Sequence, residues 1–139
     1  MNKNVEYSSL WDAFEKVLCL TLEGEIERQK SATKELCNIG LDKFQFFQGV
    51  KNNDERIIKI YEQNNVLSFP PCFRCGEEKC TCSNNILIPS QVACFLSFLD
   101  IFEFAINSSF NTFLVAEDDI QIKHFNYQCL REVLNIKVL

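Results

Sequence analysis

Glu117, Asp118 and Asp119 are three consecutive carboxylates that follow directly on the apolar run Thr112 to Ala116. Two carboxylates at a strand end make a hard oxygen site. Mg²⁺ or Mn²⁺ is held in that way, by one or two carboxylates with waters and a substrate phosphate. Strand side chains alternate in direction, so the spacing places Glu117 and Asp119 on one face and Asp118 on the other. Between Lys79 and Lys123 there is no Lys or Arg, against five acids: Asp100, Glu103 and the triplet itself. A bound cation would relieve that repulsion. The alternative is a solvated turn whose acids pair with bases from elsewhere in the fold.

A second group of chemically capable residues lies upstream. Cys72-Phe-Arg-Cys75-Gly and Cys80-Thr-Cys82 put four thiols within eleven residues. Cys72, Cys75, Cys80 and Cys82 as thiolates would complete a closed, tetrahedral, structural Zn²⁺ site, with Gly76 permitting the tight turn. The gap between the pairs is shorter than in a zinc ribbon, and a loop of reduced thiols is the other reading. Cys19, Cys37, Cys94 and Cys129 sit in apolar settings and are expected as core thiols. His124 stands just past the acidic run, either within reach of a diphosphate or metal or simply exposed.

The elements that must position these groups follow from pattern. Lys16 to Leu22 is a short apolar run and predicts a buried strand. Glu25 to Ile39 predicts a helix, acidic at its start, with Gly40 as its C-terminal cap. Phe44 to Val50 predicts a second strand. Asn53 to Asn64 predicts another helix with Ile57, Ile58, Ile60 and Tyr61 on its apolar face. Residues 66–85 carry Pro70, Pro71 and the four clustered cysteines, and predict a loop insertion. Pro89 and Ser90 open the strongest helix, to about Asn107. Its apolar residues cover most of the circumference and leave Ser97, Asp100, Glu103 or Phe104, and Asn107 as a narrow polar stripe, so it is expected to be mostly buried. Thr112 to Ala116 predicts a third strand, and Phe125 to Val138 a last helix. This alternation predicts an α/β domain with a partly parallel sheet flanked by helices.

Composition bounds the rest. A chain of 139 residues has the size of one domain with one core, spanning residues 1–139. With 47% hydrophobic and 24% charged residues the chain is neither disordered nor fibrous. A net charge of −5 argues against nucleic-acid binding, which draws on Lys and Arg. No continuous apolar run has the length of a transmembrane segment. The polar start, Met1 to Ser9, is unlike a signal peptide, and eight cysteines without one point to the reducing cytoplasm.

Three segments, in order, resemble glycosyltransferase family 25, which includes lipopolysaccharide-type and collagen galactosyltransferases. Val17 to Val50, with VLCLTL, the Glu27-Arg28 pair and FQFFQGV, resembles the family's first strand, arginine-bearing helix and second strand. PSQVACFLS, Pro89 to Ser97, resembles a stretch of the form Gly-Glu-Ile-Gly-Cys-x-Leu-Ser-His. FLVAEDDIQI, Phe113 to Ile122, resembles the Leu-Glu-Asp-Asp-Val acidic motif. The chain departs from the pattern at Gln91, where the family has Glu, and at Phe98, where it has His.

The resemblance implies a GT-A-like, Rossmann-like fold that binds a nucleotide sugar, usually a UDP-sugar, with Mn²⁺ or Mg²⁺ at the acidic motif. Glu117 and Asp119 would be the metal ligands, Asp118 and Asp119 the catalytic candidates, and Arg28 with Glu117 the cofactor-binding residues. The implied reaction moves a sugar, galactose-like by family, onto a glycan or lipopolysaccharide-type acceptor. Family members continue well beyond the acidic motif, so the chain is expected to represent the donor-binding half, with an incomplete sheet covered by a second copy or a partner. The competing expectation is an inactive GT-A-like binding module or remnant with a structural zinc loop.

Overall fold

The computed structural model of the chain describes residues 10–66, 72, 75–77 and 86–135. Among them the elements run β1 (Lys16–Thr21), α1 (Ile26–Asn38), β2 (Gln45–Gln48), α2 (Glu55–Glu62), α3 (Pro89–Asn107), β3 (Phe113–Glu117) and α4 (Tyr127–Asn135). The predicted strands and helices are present with ends that differ by a few residues, and the predicted end of the last helix, Val138, lies outside the described residues. The class is α/β, and all strand pairing is parallel.

The sheet has the order β2-β1-β3. Leu20 of β1 stands opposite Phe47 on one side and Glu117 on the other. As the central strand, β1 is buried from Val17 to Thr21. That accounts for its nearly unbroken apolar run, since a strand covered on both faces has no solvent side to mark with polar residues.

Local sequence fixes where the helices stop. At the end of α1, Gly40 has φ +75°, its N–H donates to the Cys37 carbonyl, and the Leu41 N–H donates to the Leu36 carbonyl. This is a Schellman motif, and Leu41 and Leu36 share one buried cluster, as the motif's apolar contact requires. The same pair of bonds ends α2 around Asn64 (φ +54°) and α3 around Ser109 (φ +57°). The start of α2 is capped by the Asp54 carboxylate, which accepts from the Arg56 N–H at 2.9 Å. Pro89 opens α3, and Gln91 Oε1 reaches back to accept from the Ile88 N–H at 3.0 Å. Gln91 thus makes half of a capping box, a bond a glutamine makes as well as a glutamate.

Where the sequence predicts one core, the chain divides into two compact units with a buried cluster each. Residues 1–48 and 102–139 form one unit, and residues 49–101 the other. In the first, Trp11, Val17, Cys19, Ala32, Leu36, Ile39 and Leu41 cluster, and Trp11 Nε1 donates to the Ile39 carbonyl at 3.1 Å. In the second, Val50, Ile57, Val92 and Ala93 cluster. Val66 and Leu87, from either side of the cysteine segment, pack on that second cluster, which gives it apolar residues of its own.

Three expectations are corrected. The helix α3 is not mostly buried. Its inward face is Ala93, Ser97, Ile101 and Ala105, spaced by four, while Phe95, Leu99, Phe102 and Ile106 are exposed. Small residues face the protein, and the bulky ones that dominate the hydropathy face outward. Ile58 is exposed rather than part of the α2 core face. Cys37, Cys94 and Cys129 are exposed, and of the four expected core thiols Cys19 alone is buried. In addition, α3 taken as a whole is long and apolar enough to cross a membrane by length and composition, a measure that core helices of soluble proteins also meet.

Candidate functional site

In parallel α/β sheets, ligands bind beyond the carboxyl ends of the strands, where chain connections lead off to opposite sides. Here β2 and β3 flank β1 on opposite sides, so the carboxyl ends of β1 and β3 mark such a place. Thr21 ends β1, and Glu117-Asp118-Asp119 ends β3 one step beyond the Leu20–Glu117 register pair. Because α1 begins four residues after β1, Arg28 on its first turns comes to the same end of the sheet.

The strand does not continue through the triplet. Glu117 is its last residue, and a turn follows, closed by the Ile120 N–H donating to the Glu117 carbonyl at 3.1 Å. The backbone N–H of Asp118 donates to the Leu20 carbonyl at 3.0 Å, which ties the turn to the central strand. Asp118 is buried, while Glu117 and Asp119 are both exposed.

Both oxygens of Asp118 are engaged. Oδ2 accepts from the Thr21 hydroxyl at 2.7 Å, and Oδ1 faces Arg28 Nη2 at 2.6 Å. The same Nη2 lies 3.4 Å from Asp119 Oδ2. Gln29 Nε2 donates to the Thr21 hydroxyl oxygen at 3.3 Å. Arg28 therefore supplies, from β1's following helix, a cation that offsets part of the repulsion among the acids. Among the described residues no group of three or more His, Cys, Asp or Glu side chains converges on a metal position. The exposed Glu117 and Asp119 carboxylates still suit a hard divalent ion that completes its shell with waters and a diphosphate. Burial, aided by the nearby Asp118 charge, pushes the thiol of Cys19 up to about 11, so Cys19 is a neutral wall of this end of the sheet.

The remaining candidates lie elsewhere. Asp100 forms a two-pronged pair with Arg56, at 2.8 and 3.0 Å, and Glu103 is exposed. His124 lines an open groove of about 590 Å³ with Phe125, Tyr127 and Arg131, and none of the three acids lines it. Of the cysteine group, Cys72 is buried and Cys75 exposed, within a turn closed by the Gly76 N–H donating to the Cys72 carbonyl at 2.7 Å. Cys80 and Cys82 lie outside the described residues, as does most of the predicted insertion. Thr21 and Gln29 are the members of the site that sequence reasoning missed. The available signal is a hydroxyl residue ending an otherwise apolar strand.

A family model described as "Glycosyltransferase family 25 (LPS biosynthesis protein)" matches residues 14–138. No curated protein and no solved structure matches the chain.

Proposed function

The chain belongs to glycosyltransferase family 25, and from that membership we propose that it binds a nucleotide sugar at the carboxyl ends of β1 and β3 and transfers the sugar to a glycan of the lipopolysaccharide type. The observation that carries this reading is the meeting of Arg28 with Asp118 and Asp119 at that end of a parallel sheet. A half-exposed guanidinium beside the exposed Asp119, with Glu117 also exposed at this strand end, offers one group for a diphosphate and two for a divalent ion. The three-stranded sheet corresponds, in this reading, to the donor-binding part of a GT-A-like fold.

Each residue has a role in the proposal. Arg28 meets the diphosphate of the donor, a UDP-sugar by family. Glu117 and Asp119 would hold Mn²⁺ or Mg²⁺ together with that diphosphate. Such an ion, when bound, neutralises charge on the leaving group. Asp118, with both oxygens engaged inside the protein, orients Arg28 and contacts neither ion nor sugar. Transfer would form a bond from the acceptor hydroxyl oxygen to the anomeric carbon, break that carbon's bond to the diphosphate oxygen, and release the nucleoside diphosphate together with the hydroxyl proton.

The test is calorimetry of the whole chain with a UDP-sugar panel, with and without Mn²⁺, followed by a turnover assay on any donor that binds. Metal-dependent binding that is abolished in Asp119→Ala supports the reading. Binding without turnover identifies the inactive module instead. A folded protein that binds no donor in either condition overturns both.

A further inference from the structure

We propose that Thr21 is a positioning residue of this site: its hydroxyl, acting through the buried carboxylate of Asp118, holds the Arg28 guanidinium in place for a diphosphate. The inference rests on the donor-site reading above and adds a residue that no motif marks.

The geometry is a tether with one end anchored in the sheet. Thr21 and Asp118 are 2% and 5% exposed, so neither exchanges its partner for water at low cost. The backbone of Asp118 is fixed by its bond to Leu20 and its side chain by the bond to Thr21. Gln29 donates to the hydroxyl oxygen, and of the two acceptors within reach of the Thr21 proton, Asp118 Oδ2 at 2.7 Å is much nearer than the Leu22 carbonyl at 3.4 Å. Threonine is β-branched and stiff at χ1, so the hydroxyl does not swing away.

The other end is presented to solvent. Arg28 is 45% exposed and uses Nη2 alone for Asp118 and Asp119. Its Nε and Nη1 have no partner among the described residues. A guanidinium is a planar fork of five donors, so with Nη2 facing the acids, Nε and Nη1 remain to donate. Each can meet one oxygen of a diphosphate by a charge-assisted bond, and a fixed plane decides where those oxygens must lie. Removing the Thr21 hydroxyl frees Asp118 to turn, and the fork loses its fixed plane.

The experiment uses the whole chain with ¹⁵N,¹³C-labelled arginine. Rotation of the Arg28 guanidinium about Nε–Cζ is measured by NMR in the wild type, Thr21→Val and Thr21→Ser, beside UDP-galactose titrations in Mn²⁺. Thr21→Val keeps the shape and removes the hydroxyl; Thr21→Ser restores it. The expected result is rotation about tenfold faster in Thr21→Val and a donor Kd raised about tenfold, the effect of one lost hydrogen bond to a charged group. Thr21→Ser should return both to within about twofold of wild type. Equal rotation in wild type and Thr21→Val overturns the tether. Faster rotation with unchanged donor affinity overturns the positioning role. A wild type whose Arg28 is held but which binds no donor overturns the donor-site reading, and with it the assignment to a diphosphate, while the NMR result upholds the tether. If Thr21→Val does not fold, the part-exposed Gln29→Ala reads the same tether, with about a threefold weakening expected and no change counting against it.

Discussion

Ser97 Oγ lies 2.8 Å from the backbone nitrogen of Val50 and accepts its hydrogen bond, while donating its own proton to the Ala93 carbonyl at 2.7 Å. The chain leaving β2 is thereby fastened to the inner face of α3 by one small polar side chain. Ser97→Ala leaves the buried Val50 N–H without an acceptor, which costs about 1–3 kcal/mol. Urea unfolding is expected to show that loss with an unchanged slope. A loss under half a kcal/mol would mean that water takes the vacated position.

Three helices end on the same hydrogen-bond pattern but with different residues at the left-handed position: Gly40, Asn64 and Ser109. Serine carries a Cβ strain there that glycine does not. Ser109→Gly is expected to stabilise the protein by about 0.5–1 kcal/mol, and Gly40→Ala to destabilise it by about 1 kcal/mol. Thermal melts of the two variants should move in opposite directions.

Two carboxylates are held below their ordinary range. Asp54 is lowered first by the Arg56 backbone N–H it caps and then by the Arg56 side chain. Glu15 is lowered by the side chain and then the backbone N–H of Asn111. A depressed folded-state value adds stability that is complete above the unfolded value, near 4, and is lost as pH falls through the folded one. The melting temperature should therefore decline below about pH 4.5. Asp54→Asn should melt lower at pH 7 and decline less steeply in acid. Parallel pH curves for the two proteins would show that the cap contributes nothing to acid sensitivity.

Thiol reactivity should divide along burial. Cys37, Cys75, Cys94 and Cys129 are exposed, and Cys19 is both buried and shifted up to about 11. At pH 8 an alkylating reagent is expected to label these exposed four within minutes and Cys19 only under denaturant, as read by peptide mass spectrometry. Labelling of Cys19 at a comparable rate would mean that the end of the sheet opens readily in solution.

The exposed residues Phe95, Leu99, Phe102 and Ile106 fall on one side of α3. Replacing Leu99 and Ile106 with Lys should reduce binding of an apolar dye and change stability by no more than about 0.5 kcal/mol, as for substitutions at solvated positions. A loss of several kcal/mol would instead show that this face is covered.

Local signals carried much of the order of elements. Pro89 and Gly40 mark helix ends through backbone constraints that act within a few residues, and the apolar runs of β1 and β3 reflect burial directly. The orientation of α3 was illegible because apolar residues surround it, and its narrow polar stripe contains Ser97, whose hydroxyl finds two backbone partners inside. The site was legible as separate parts. Arg28 and the acidic triplet each stand out, but their pairing depends on the β1–β3 register, and Thr21 bonds Asp118 across 97 positions of chain. No local pattern encodes a contact of that range. The role of Gln91 was equally hidden, since a capping bond distinguishes amide from carboxylate only weakly.

The central position of β1 also dictates an order of events during synthesis. Its partner β2 leaves the ribosome soon after it, whereas β3 follows only after residues 49–112, a delay of roughly 3–13 s at ordinary translation rates. Throughout that interval the β3-facing edge of β1, the most buried strand among the described residues, stands unpaired, and Thr21 lacks Asp118. A nascent chain stalled before Phe113 therefore lacks Asp118 and Asp119 and keeps an open strand edge of the kind that templates association between chains.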